Sequence, residues 1–171
     1  MTKLSDLDPD RIPFRLRVLR NLTDALETIT PANGYTFDLT GRVHRGILVF
    51  GEDTKPPMVT ILEAPIPADV LQSGGPNPNS TGPWEVLVQG FVKDDPDHPS
   101  DMAHILMAEV KAALVKEKRR ERGRDILGMR GRVTEMYLGQ GSVRPEDGTS
   151  TTFFWLTLTL RLVENLEDPY F

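Results

Sequence analysis

There is no cysteine among the 171 residues, so disulfides and thiolate metal sites are excluded and the chain carries no mark of a redox compartment. Also absent is any run of about 18 apolar residues, which argues against a membrane-spanning helix. The opening Met1 to Asp6 lacks the apolar stretch of a signal peptide. The expectation is a protein that neither spans a membrane nor leaves by a cleavable signal, with the cytoplasm as default. Imidazoles are few: His44, His98 and His104. His98 and His104 stand six apart and do not share a helix face, which argues against a metal pair. There is no GxSxG elbow, Walker loop, HExxH or GxGxxG, and Gly139-Gln140-Gly141 lacks the strand-to-helix setting of a phosphate loop. No enzyme is expected, and no cofactor or metal is implied.

What is present describes a globular chain. Hydrophobic residues make up 39% and charged residues 26%, ordinary values for a folded protein. The length suits one well-buried core better than two, so a single domain over residues 1–171 is expected. The formal net charge of −5 is unevenly spread. Residues 111–132 hold nine basic residues against three acidic, a net +6, which leaves −11 on the remainder. That asymmetry suits complementary patches on neighbouring copies or partners. A nucleic-acid grip is the competing reading. Against it, no aromatics interleave the basic run and the whole protein is acidic.

Ile12, Leu16, Leu19, Leu22, Leu26 and Ile29 recur at steps of three or four and predict an amphipathic helix from Arg11 to Thr28. Asp10 suits its cap, and Thr30-Pro31-Ala32-Asn33-Gly34 its stop. Arg17, Arg20 and Asp24 then form a solvated outer face. β-Rich stretches from Arg42 to Phe50 and Met58 to Glu63, separated by Gly51 to Pro57, read as a hairpin. A Pro-, Gly-, Asn- and Ser-rich stretch over residues 64–83 predicts a long mobile loop, and a strand from Trp84 to Val92 follows. Asp94, Asp95, Asp97 and Asp101 form a carboxylate cluster without the glycine and distal glutamate of a calcium loop. Capping of the next helix is the plainer explanation, and cation binding stays open.

That second helix carries Met102, Ile105, Leu106, Val110, Ala113 and Leu114 on one side and turns wholly charged beyond, with Gly123 just past its end. A strand around Val133 to Val143, a turn from Arg144 to Ser150 and a strand from Thr151 to Val163 complete the chain. In the last strand Phe154, Leu156, Leu158, Leu160 and Leu162 share the face toward the helices. Phe153, Trp155, Thr157, Thr159 and Arg161 share the other. The fold class is thus α+β: a mainly antiparallel sheet of about four to six strands with two helices packed on one face.

This order of elements resembles the tail terminator, or tail completion, proteins of tailed bacteriophages. The resemblance is carried by the early helix ending before Gly34-Tyr35 and by Val43-His44-Arg45-Gly46 with Phe50-Gly51-Glu52-Asp53. It continues through Pro57-Met58-Val59-Thr60-Ile61-Leu62-Glu63 and Trp84-Glu85-Val86-Leu87-Val88-Gln89-Gly90-Phe91-Val92 before Asp94-Asp95. It implies a non-enzymatic virion protein, assembled in the host cytoplasm, forming a ring commonly of six copies. Such a ring caps the tail tube, ends its polymerisation and presents a surface to the head-side connector. DNA passes through the lumen without sequence-specific binding. A head–tail connector or neck protein is the alternative, and a small nucleic-acid-binding module is a third reading. Candidate assembly residues are Arg45, Lys116, Lys118, Arg119, Arg120, Phe153, Trp155, Arg161, Tyr170 and Phe171.

Overall fold

The computed structural model describes residues 11–47, 55–63, 78–145 and 150–170. The described strands are β1 (Val43–Arg45), β2 (Met58–Glu63), β3 (Asn79–Lys93), β4 (Val133–Leu138), β5 (Ser142–Pro145) and β6 (Thr151–Asn165). They form one sheet in the order β1-β2-β3-β6-β4, with β5 also pairing β6. Two helices, α1 (Phe14–Glu27) and α2 (Asp101–Lys118), pack on one side of it. This is the expected α+β architecture.

The centre of the sheet is the antiparallel pair β3–β6, in register from Asn79↔Asn165 to Lys93↔Thr151. Alternation along both strands sorts the side chains. Phe154, Leu156, Leu158, Leu160 and Leu162 are buried with Trp84, Val86, Val88 and Val92, and the buried stripes of both helices cover them. From α1 these include Phe14, Val18, Leu22, Ala25 and Leu26. Gly90 sits opposite Phe154, and a Cβ there would lie 2.2 Å from the phenyl ring. The missing side chain is what makes room for the ring at this position.

Four expectations are corrected. First, Val43↔Val59, His44↔Thr60 and Arg45↔Ile61 pair in parallel, so β1 and β2 are not a hairpin. Residues 46–57 supply about the dozen that a parallel crossover needs, and Gly46 (φ 70) turns the chain out of β1. Second, residues 79–83 belong to β3 and not to a loop. Pro83 is tolerated because β2 pairs only residues 86–91, so among the described strands Pro83 lies on an edge where its missing N–H is not needed. Third, the strand expected over Val133 to Val143 is two strands. Four steps from Leu138 to Ser142 match three on β6 from Leu158 to Trp155, a one-residue bulge at which Gly141 adopts φ 79.

The fourth correction concerns helix faces. α1 begins at Phe14 with Pro13 before it. In α2 Met107 is buried, whereas Ile105 is 40% exposed, because the buried stripe is centred on Leu106, Val110 and Leu114 and residue 105 falls on its flank. α2 ends at Lys118, before the short helical turn Arg120–Gly123. Asp10, Phe50 to Asp53, residues 64–77 and residues 146–149 lie outside the described residues.

Gly90→Ala drives a methyl into the Phe154 ring, so it is expected to lower stability by about 1–3 kcal/mol. Phe154→Leu in the same chain should recover part of that loss. Thermal melts of the single and double variants measure both, and a single variant melting like the parent would refute the packing described.

Candidate functional site

Three exposed regions carry the chemistry available to this fold. The first is the helix-free face of the sheet. Leu87, Gln89 and Phe91 of β3 and Phe153, Trp155 and Thr159 of β6 are partly exposed there, with Thr157 and Arg161 exposed among them. The aromatics are mutually organised. Phe91 and Phe153 have ring centroids 6.0 Å apart, Phe153 and Trp155 meet edge-on at 5.0 Å, and the Arg144 guanidinium stands 5.6 Å over Trp155. Rings in contact at such spacings pre-form a surface with little rotamer freedom left to lose. Further along β6, Arg161 lies 3.6 Å from Glu135, which in turn accepts a hydrogen bond of 2.7 Å from the Tyr137 hydroxyl. That bond to a carboxylate holds the tyrosine pKa above its ordinary value.

The second region is the basic end of the molecule, beyond the last turn of α2. Here the backbone is strained. Glu121, Arg122, Leu127 and Arg130 adopt positive φ between 47° and 59°, a conformation that costs a non-glycine residue on the order of 1–3 kcal/mol and persists only when neighbours enforce it. Asp125 is the enforcer. One of its oxygens accepts the Arg130 backbone N–H at 2.7 Å, and the other lies 3.2 Å from the Arg120 guanidinium. Asn21 of α1 donates to the Leu127 carbonyl at 2.7 Å, while Ile126 and Leu127 are buried in the core.

Between this end and α1 lies a groove of about 700 Å³ lined by Phe14, Arg17, Gly128, Met129, Arg130, Arg132 and Tyr170. Arg17 was expected on a purely solvated face. It instead lines the groove and donates to the Tyr170 carbonyl at 2.9 Å, because the chain end folds back and Pro169 accepts the Phe14 N–H at 2.8 Å. Among the described residues, three arginines and no acidic side chain line the groove, so these residues make it chemically an anion-accepting surface.

The third region is the acidic turn between β3 and α2. Asp95 Oδ1 accepts the backbone N–H groups of Asp97 at 2.8 Å and His98 at 3.3 Å, so the turn has a defined shape. Asp97 and Asp101 are exposed. Among the described residues no group of three or more His, Asp or Glu side chains is placed to hold a metal ion, and no helix is long and apolar enough to cross a membrane.

The structure distributes the sequence-derived candidates over separate places. Phe153, Trp155 and Arg161 share the open sheet face. Lys116 and Arg119 are exposed at the end of α2. Arg120 is tied within the chain to Glu117 and Asp125, and Lys118 stands 5.6 Å over the Tyr137 ring. Arg45 sits at the far edge strand, away from both groups. Tyr170 packs back under Arg11, and Phe171 lies outside the described residues. The groove that Arg17, Arg130 and Arg132 share was not foreseen, since helical periodicity assigns Arg17 to solvent, Arg130 and Arg132 stand out only as part of the basic stretch, and nothing local announces that residues 169–170 return to α1.

No protein-family model matches the sequence, and no curated protein matches it either. Among solved structures, the fold is similar to a chain of the virion of a native gene transfer agent particle. The TM-score is 0.50 at 12% identity, over 88% of this chain and 95% of that chain. At that identity the likeness is one of fold.

Asp125→Ala removes the acceptor that holds the left-handed segment. The expected outcome is a loss of about 1–2 kcal/mol together with faster amide exchange over residues 120–131. Exchange that leaves this segment as protected as before would exclude Asp125 as its anchor.

Proposed function

We propose that this chain is a non-enzymatic structural component of a phage-like virion, and specifically a tail terminator. It forms a ring, expected to be of six copies, that caps the tail tube, stops its growth and offers the head-side connector a surface to bind. The observation that carries the reading is a two-layer fold whose described helices both cover one side of the sheet, with an organised aromatic cluster on the other. A cluster of Phe91, Phe153 and Trp155 in edge contact has the composition of an interface core.

Support also comes from the fold it shares, nearly end to end, with a chain of a gene transfer agent virion. The resemblance of its sequence layout to tail terminator proteins points the same way. A ring needs heterologous contacts, in which two different patches of one subunit meet on successive copies, and the separated charged regions supply unlike patches. The chain would assemble in the host cytoplasm and reside in the virion at the junction of tail and head, with DNA passing its lumen without sequence readout.

The test is polymerisation of tail tube protein with and without this chain, followed by electron microscopy. Tubes are expected to stop at shorter lengths and to carry a terminal ring. Phe153→Ser with Trp155→Ser is expected to melt within a few degrees of the parent and to abolish that ring. Binding to connector protein with indifference to the tube would instead assign the chain to the neck.

A further inference from the structure

The acidic turn and the arginine groove lie at opposite ends of the molecule, and two independent rulers say so. α2 is 18 residues long, with Asp101 at its first position and Lys118 at its last, which puts the ends about 27 Å apart at the helical rise. β6 gives the second ruler. Its first residues lie beside the acidic end, where Asp94 N–H donates to Ser150 and the Thr152 hydroxyl to Pro99. Its later residues lie beside the groove, where Val163 N–H donates to Arg132 at 2.8 Å. Thr152 to Val163 spans about 36 Å of extended strand.

Charges separated by several Debye lengths, each about 8 Å at physiological salt, do not neutralise one another within a chain. Between two chains they can. We infer that the acidic turn of one copy, through Asp94 and Asp97, docks on the basic end of the next copy, against Arg17 and Arg130 in the groove and Arg124 beside it. The occupant is a second copy of this chain because this one molecule carries both halves of the contact. The turn is shaped by its own Asp95 bonds. Of the receiving arginines, Arg17 stands on α1, and Arg124 and Arg130 flank a segment that Asp125 holds in place.

Because the two halves sit at opposite ends, the contact is head-to-tail and propagates until the rotation closes a ring. The inference rests on the ring reading above and adds to it which surfaces meet. It also predicts strong salt dependence, as partly exposed charge pairs are screened.

The test reverses each end separately in the full chain. D94K/D97K and R124E/R130E are purified, checked for an unchanged circular dichroism spectrum, and sized by gel filtration at about 0.15 M salt. Each alone is expected to weaken self-association at least about tenfold. An equimolar mixture is expected to reassemble with the two variants alternating, since a reversed turn then meets a reversed groove at one contact and a native turn meets a native groove at the next. Should R130E disturb its left-handed position, R17E/R124E replaces it, because Arg17 stands on α1 and Arg124 keeps a negative φ. Either variant assembling like the parent, or a mixture that stays dissociated, overturns the inference while leaving the ring intact. A parent chain that stays monomeric, even with tail tube protein present, removes the ring reading and this contact with it.

Discussion

Everything in this fold depends on one pairing, the antiparallel ladder between β3 and β6. It joins residues 79–93 to residues 151–165 without a break in register. Every other element takes its place from that ladder: β2 on one flank, β4 and β5 on the other, and both helices on the face where leucines and valines alternate inward. A one-residue slip would carry the whole leucine row Leu156 to Leu162 to the open face, so register is enforced by burial along the entire strand. The close approach of Phe154 to Gly90 adds a steric marker, because only one pairing sets that ring over a residue without a side chain.

The same alternation that buries one face creates the other. Phe153 and Trp155 cannot turn inward without expelling Phe154 and Leu156, so an aromatic surface is a geometric consequence of the core. Charge is handled at the ends. The carboxylates gather where β3 hands over to α2, and the cations gather where α2 leaves the core, each arrangement also favourable to the helix dipole. Local helix chemistry and long-range polarity therefore coincide, and a molecule with unlike ends follows. Such a molecule is suited to joining copies of itself in one direction.

Much of this was legible in the sequence. The leucine alternation of β6, the two helices and the fold class follow from periodicity, because burial on one face writes its period directly into the residues. The polar end of α2 was legible too. What periodicity does not encode is direction: Arg42 to Glu63 reads equally well as a hairpin or as a crossover, since both place turn-forming residues between two β-rich stretches. Pro83 and Gly82 look like loop and sit in a strand because they lie beyond the residues that β2 pairs. The groove was hidden for a related reason. Arg17, Arg130 and Tyr170 are far apart in sequence, and only the return of the chain end to α1 brings them together.

The central claim is that this is a self-assembling structural subunit whose unlike surfaces meet on successive copies. Light-scattering mass measured across a concentration series tests it most directly. The account predicts a closed species at a fixed whole-number multiple of the 19.2 kDa chain, falling apart as salt is raised. A mass of one chain at every concentration, in low salt as in high, would contradict it.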